Sequence, residues 1–85
     1  MIRALLLLYL AWQIASPQAA EHMRAGIAAD QQRQFDVAIR EFKKVTELDP
    51  SFADGFISLG QAYMENGDYA SAIAPLKQAL ELSSD

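Results

Sequence analysis

The segment SLGQAYMENGDYASA, residues 58–72, decides the fold because its small and aromatic residues recur 34 positions earlier in the chain. Gly60 corresponds to Gly26, and Ala72 corresponds to Ala38, when the sequence is aligned with itself at that offset without a gap. A fixed period of this length is typical of proteins built from repeated supersecondary units. The chain therefore contains two copies of one unit.

Each copy has the pattern of a helical hairpin. Gly60 lies in the middle of a predicted helix, where glycine costs about 1 kcal/mol relative to alanine, and this cost is acceptable if a second helix approaches closely there. We expect Tyr69 or Phe42 to fill the space beside Gly60. Gly67 can end the helix in the left-handed conformation, and Asp68 can cap the next helix through its carboxylate.

The pattern predicts four helices, at residues 18–31, 35–48, 52–65 and 69–82. Pro50 ends the second helix, because the residue before a proline avoids helical geometry. Ser51 is a candidate cap for the third helix, and Asp54 is a favourable acid in its first turn. Pro75 lies inside the fourth helix and lacks a backbone donor, so we expect a kink there.

The first copy departs from the second at several positions. His22 stands where the second copy has Phe56, and Arg33 stands in the place of Gly67. Because a left-handed conformation costs arginine about 1 kcal/mol, we expect the first turn to have a different shape. His22 is the only histidine of the chain. Its position in a predicted contact between helices favours a structural role over catalysis.

A 34-residue period with these residue types resembles the tetratricopeptide repeat family. The second copy has most of the family's characteristic positions: Phe56, Leu59, Gly60, Tyr63, Gly67, Tyr69, Ala72, Leu76 and Ala79. The resemblance implies an all-α fold, in which tandem antiparallel helical hairpins stack into a superhelical solenoid. Two repeats would occupy residues 20–85, as units of about 19–52 and 53–85.

The same resemblance implies where a partner binds. Members of this family hold a peptide or an extended protein segment in a concave groove, which is lined by the first helix of each pair. The residues that would face this groove are Met23, Ile27, Asp30, Gln31, Asp54, Ile57, Gln61 and Met64. Methionine and isoleucine give an adaptable apolar floor, and the acids favour a partner with lysine or arginine. The alternative is that half of these side chains contact the next helix of the array.

The first 19 residues have the pattern of a targeting segment. Arg3 precedes an apolar run over residues 4–15, which is shorter than the about 20 residues of a membrane span and fits the apolar centre of a secretory signal. We expect residues 1–19 to be a signal peptide, which would place the repeats in a periplasm or outside the cell. The alternatives are a short membrane anchor or an apolar helix packed on the repeats.

The composition argues against several classes of site. The 85 residues include no cysteine, so the chain forms neither a disulfide nor a thiolate metal site. The formal net charge is −4, which argues against nucleic-acid binding, since that needs clustered lysine and arginine. The glycines do not form a phosphate-binding loop. We therefore expect neither an enzyme nor a cofactor or metal site.

These observations predict an exported, non-catalytic adaptor that binds a protein or peptide. Two alternatives stay open: the docking module of a larger enzyme, and part of a membrane-tethered envelope assembly factor, which would contact the membrane only through residues 4–15 if they are not cleaved. Two repeats are fewer than the about three that a stable stack needs. We therefore expect either that the array continues beyond Asp85 or that the C-terminal helix mediates self-association.

Overall fold

The computed structural model describes residues 16–84, which form four α-helices. These are α1 (Pro17–Gln31), α2 (Phe35–Leu48), α3 (Ala53–Glu65) and α4 (Tyr69–Ser83). No strand occurs in these residues, so the predicted all-α fold is confirmed, and the helix bounds match the prediction to within one residue. The apolar run assigned to a signal peptide, an anchor or a packed helix lies outside the described residues. Within residues 16–84, no helix combines the length and the apolarity that crossing a membrane requires.

The four helices pack as two hairpins joined through their middle pair. In the described residues α1 packs on α2, α3 packs on α4, and α2 packs on α3. Alanine dominates the buried apolar residues, which are Ala19, Ala29, Ala38, Phe42, Val45, Leu59, Ala62, Ala72 and Ala79. Because most of these side chains are a single methyl group, the helix axes can approach closely and a few large side chains fill the remaining space.

In each hairpin, the two helices are in close contact at a glycine of the first helix. A Cβ atom at Gly26 in α1 would overlap the ring of Phe42 in α2. In the second hairpin, a Cβ atom at Gly60 would lie 2.5 Å from Cγ of Leu76 in α4. The expectation that Tyr69 or Phe42 fills the space beside Gly60 is therefore wrong. Leu76, the repeat equivalent of Phe42, fills it, whereas Tyr69 is 67% exposed at the start of α4.

The two hairpins meet through a third glycine. A Cβ atom at Gly55 in α3 would lie 2.9 Å from Cγ1 of Val45 in α2, and Val45 is fully buried. Ala62 follows on the same face of α3 and is also fully buried, whereas its repeat equivalent Ala28 is exposed. The difference arises because α3 packs on both α2 and α4. Within residues 16–84, a neighbouring helix covers this face on α3 and not the equivalent face on α1.

The two hairpin turns have the same geometry in spite of their different sequences. Gly67 has a φ of 80°, and Arg33 at the equivalent position has a φ of 61°. The amides of Arg33 and Gly67 donate to the carbonyls three residues earlier at 2.9 and 3.0 Å, and the next amides donate five residues back at 2.8 and 2.9 Å. The expectation of a different first turn is therefore wrong. These paired bonds offset the cost of a left-handed arginine, which is about 1 kcal/mol.

The helix ends are capped in different ways. The carboxylate of Asp68 accepts a hydrogen bond from the Ser71 amide at 3.2 Å, as predicted. Ser51 does not cap α3, because its hydroxyl donates instead to Asp49 at 3.3 Å, and α3 begins without a side-chain cap. The kink expected at Pro75 stays a prediction, since α4 runs through this residue as one helix.

Gly60→Ala should destabilise the protein, because the added methyl group has no space beside Leu76. We expect the free energy of unfolding to fall by about 1–3 kcal/mol, although alanine is the better helix former by about 1 kcal/mol. Urea denaturation followed by far-ultraviolet circular dichroism would measure the change.

The matched control is the same substitution in a Leu76→Ala background. Leu76→Ala alone should lower the free energy of unfolding by about 2–5 kcal/mol, but it leaves room for the new methyl group. Gly60→Ala should then be neutral or slightly stabilising, because only the gain in helix propensity remains. If Gly60→Ala were equally destabilising in both backgrounds, the contact with Leu76 would not be the reason for glycine at this position.

Candidate functional site

A small cavity lies between the first helices of the two hairpins. Its volume is about 100 Å³, and it is lined by Ile27, Asp30, Phe42, Ser58, Gln61 and Glu65. Two of these residues belong to α1 and three belong to α3, while Phe42 reaches the cavity from α2. We call this cavity and its six lining residues the α1–α3 groove.

Helical spacing places the lining residues on one stripe of each helix. On α1, Ile27 and Asp30 are three positions apart. On α3, Ser58, Gln61 and Glu65 follow at intervals of three and four, so that each set shares one face of its helix. The packing of α2 on both α1 and α3 brings the two stripes to the same cavity.

Three of the eight residues expected to face a partner lie together at this cavity, namely Ile27, Asp30 and Gln61. One of them is apolar, one is acidic and one carries an amide. Their side chains come from both hairpins, so a ligand in the groove would contact the two repeats at once. Their role in partner binding stays a prediction.

The other five expected residues do not line the groove. Met23 is half-buried and packs against the core, and Gln31 is exposed at the last position of α1. Asp54 is exposed in the first turn of α3, where its charge favours the helix. Ile57 lines a different cavity beside α4, and the side chain of Met64 is 44% exposed.

Three lining residues are not among those expected from the sequence, namely Phe42, Ser58 and Glu65. Ser58 directly follows Ile57, and Glu65 directly follows Met64. Ile57 and Met64 are among the residues that the family resemblance placed in the groove. The stripe of α3 that faces the groove is therefore rotated from the expected one towards Ser58 and Glu65, although Gln61 belongs to both. Phe42 was assigned to helix packing alone, and with 3% exposure it lies at the base of the groove as well as in the core.

The glycines of α3 contain a signal that would have found the correct stripe. Gly55 marks the face that packs on α2, and Gly60 marks the face that packs on α4. With about 100° between successive residues, these two faces leave the side around Ser58, Gln61 and Glu65 as the one opposite both contacts. Close contacts at glycine thus identify the open face by elimination.

Two carboxylates enter the groove from different helices. The pKa of Glu65 is raised, first because its carboxyl is partly desolvated, next because the negative charge of Asp30 is near, and third because the protonated form can hydrogen-bond with the Asp30 carboxylate. The positive charge of Arg33 lowers it in part. Oδ1 of Asp30 is buried and accepts no hydrogen bond from any residue in 16–84. The groove therefore combines two negative charges with a carboxylate oxygen that lacks a donor.

The other notable polar pair lies away from the groove lining. Nδ1 of His22 in α1 is 2.6 Å from Oε2 of Glu41 in α2, and the pair links the two helices of the first hairpin. Within residues 16–84, histidine, aspartate and glutamate side chains form no group that could hold a metal ion. The groove itself offers carboxylates, one amide, one hydroxyl and apolar surface, which together suit the binding of a polar chain segment.

The outer face of α4 is apolar and uncovered within the described residues. Ile73 and Leu80 are 66% and 71% exposed. A second cavity of about 300 Å³ lies beside this helix and is lined by Ile57, Leu76, Ala79, Leu80 and Ser83. The equivalent face of α2 is covered by α3, which explains why Val45 is fully buried there.

Glu65→Gln should stabilise the protein at neutral pH, because it removes a negative charge beside Asp30. The raised pKa means that protonation of Glu65 favours the folded state below its ordinary pKa of 4.5, and that this contribution is lost as the pH rises through the folded-state pKa. Glutamine does not titrate, so the variant avoids this loss. We expect its melting temperature to exceed that of the wild type by about 1–3 °C at pH 7.

The same comparison at about pH 4, where Glu65 gains its proton, should show a smaller difference between the variant and the wild type. Glu81→Gln removes an exposed acid of α4 and serves as the control. Thermal unfolding by circular dichroism at both pH values would measure the effect. A difference at Glu65 that is the same at both pH values would exclude ionic repulsion as its cause.

Curated relatives match most of this chain but only a small part of their own length. The chain is 36% identical to protein bimA of Emericella nidulans over 59 residues, which are 69% of the chain and 7% of bimA. It is 36% identical to cellulose synthase operon protein C of Escherichia coli over 70 residues, which are 82% of the chain and 6% of that protein.

A model of the tetratricopeptide repeat family matches residues 23–85. This range includes most of α1 and the whole of α2, α3 and α4. The match agrees with the 34-residue period, the pairing of the helices in hairpins and the glycine contact repeated in each hairpin. The chain therefore belongs to the tetratricopeptide repeat family.

Proposed function

We propose that this chain is a non-catalytic adaptor, which holds an extended segment of a protein partner in the α1–α3 groove. The observation that best supports the proposal is the convergence of six side chains from three helices on one cavity. Tetratricopeptide repeats are generally interaction modules that bind proteins or peptides. The α1–α3 groove has the apolar and hydrogen-bonding groups that such binding needs.

The groove offers the contacts that an extended segment needs. The side chain of Ile27 is 43% exposed, so it is free to make an apolar contact. Gln61 can both donate and accept hydrogen bonds through its amide, and Ser58 can do so through its hydroxyl. Both polar groups can pair with the backbone amides and carbonyls of an extended chain, which would otherwise lose hydrogen bonds to water on binding.

The walls of the groove are held by the protein's own packing. Gly26 fixes α1 against α2, Gly60 fixes α3 against α4, and Gly55 fixes α3 against α2. A preformed groove lowers the entropic cost of binding, because the partner does not have to order the helices that it contacts. We therefore expect a segment of a few residues to be sufficient for binding.

Ile27→Gln should weaken binding in the groove without adding charge. Random dodecapeptides displayed on phage and selected against the 85-residue chain would supply the ligands. We expect the selected peptides to bind the variant about tenfold more weakly, since an apolar contact is replaced by an amide that loses water on binding. Fluorescence anisotropy with synthetic labelled peptides would give the dissociation constants.

Ile73→Gln is the matched control, because Ile73 is also an exposed isoleucine but lies on α4 and does not line the groove. It should leave the peptide affinity unchanged. Circular dichroism would verify that both variants are folded. Peptides that bind the Ile27 variant as tightly as the wild type would place the binding surface elsewhere and refute the proposal.

We propose as well that residues 1–19 direct export of the repeats. The support is the order of Arg3 and the apolar run of residues 4–15, which stops before Ser16 caps α1 and Pro17 begins it. Mass spectrometry of the chain expressed in a bacterial host would test the proposal. We expect a mature protein that starts at Ala20 or Glu21. An uncleaved chain in the membrane fraction would indicate an anchor instead, and an uncleaved chain in the cytosol would refute export.

A further inference from the structure

We propose that the α1–α3 groove accepts a lysine side chain of the bound segment, with its ammonium group between Asp30 and Glu65. The inference rests on the proposed function, because it specifies which residue the same groove recognises. The groove lining contains two acids and no basic side chain. The acids of the groove therefore suit a cation, and its apolar lining suits an aliphatic stem.

The shape of the groove suits one narrow side chain. Asp30 and Glu65 approach the same space of about 100 Å³ from α1 and α3. The apolar lining consists of Ile27 and Phe42, against which the methylene groups of a lysine can lie. A lysine in this position would place its stem on apolar surface and its charge between two carboxylates, so that both parts of the side chain find matching groups.

The surroundings of Asp30 favour a bound cation. Its Oδ1 atom is buried, and no donor among residues 16–84 forms a hydrogen bond with it. A buried acceptor without a donor leaves its desolvation uncompensated, and the penalty is larger when the group is charged. An ammonium group at the exposed side of this carboxylate would compensate the charge, because the charge is shared between both oxygens.

The surroundings of Glu65 also favour a bound cation. Desolvation, then the negative charge of Asp30 and a hydrogen bond with its carboxylate raise the pKa of Glu65, so the ionised form of Glu65 is disfavoured in the free groove. A cation between the two carboxylates would turn their mutual repulsion into two attractions. The pKa of Glu65 should then fall when the peptide binds.

The protein's own nearby cation does not occupy this place. Arg33 acts on Glu65 from the turn after α1, but its guanidinium lies over the ring of Phe35, 5.3 Å from the ring centre. Among the described residues, Arg33 forms no ion pair with Asp30 or Glu65 within 4.0 Å. The acid pair is thus left open to a cation from outside.

The geometry favours lysine over arginine. Arginine pairs best with both oxygens of one carboxylate, in a planar bidentate contact. Asp30 cannot offer such a contact, because one of its two oxygens is buried. The ammonium group of lysine instead donates three separate hydrogen bonds in diverging directions. These can go to Asp30, to Glu65 and to the amide oxygen of Gln61, which are acceptors on two different helices.

The test uses phage-displayed dodecapeptides selected on the full 85-residue chain. Synthetic copies of the peptides whose binding depends on Ile27 are then made with each lysine changed to glutamine or to arginine. We expect one lysine in these peptides to be essential, with glutamine weakening binding about tenfold and arginine about threefold. Binding of the lysine peptide should also weaken as salt is added, because ionic attraction is screened.

Variants of the protein locate that lysine. Asp30→Asn and Glu65→Gln should each weaken the lysine peptide, but they should have little effect on the glutamine peptide. This non-additivity is the mark of a direct contact and would not arise from a general loss of structure. Glu81→Gln, which removes an exposed acid of α4, should leave both affinities unchanged. Nuclear magnetic resonance titration of the Glu65 carboxyl should show the lower pKa in the complex.

The outcomes separate this inference from the function on which it rests. Peptides that need Ile27 but no lysine would overturn the lysine site and leave the adaptor proposal standing. If peptides with arginine in place of the essential lysine bind as tightly as the lysine peptides, the preference for lysine argued from Asp30 is overturned. Peptides that are insensitive to Ile27→Gln would overturn both proposals, since the groove would then not be the binding surface.

Discussion

The close approach of two helices at a glycine determines the rest of this molecule. In each hairpin a bulky side chain of the second helix lies where the first helix has no Cβ atom: Phe42 over Gly26, and Leu76 over Gly60. Because the two contacts are 34 residues apart, the hairpins are built alike. A third contact, at Gly55, sets one hairpin against the other. These contacts decide how far α1 lies from α3, and therefore how wide the groove between them is.

This packing also explains why two acids can stay close together in the free protein. Neither Asp30 nor Glu65 lies on a helix that can move away without losing a core contact, so their repulsion is tolerated as a local destabilisation within a stable frame. Groups that are unfavourable in the free protein are common at binding and catalytic sites. Family membership accounts for the frame of hairpins. The charge in the groove comes from Asp30 and Glu65, whose counterparts in the other repeat are the uncharged Met64 and Gln31.

The repeat period and the glycines were sufficient to predict the helices, the hairpins and the left-handed turn at Gly67, because these depend on local backbone preferences and on contacts repeated in register. The partners of the contacts were harder to predict. Leu76 rather than Tyr69 lies on Gly60, since the crossing point of two helices is a tertiary property. The groove stripe on α3 is rotated from its expected position for the same reason. The pairing of Asp30 with Glu65 joins different repeats, and no periodicity within one repeat reveals it.

Arg33 connects the conformation of a loop with the charge of the groove. It holds the left-handed position that its counterpart in the second repeat leaves to glycine, and its guanidinium moderates the ionisation of Glu65. A glycine here would relax the backbone but would also remove the positive charge that lowers the pKa of Glu65. The same residue therefore costs the turn conformational energy and at the same time lessens the repulsion in the groove.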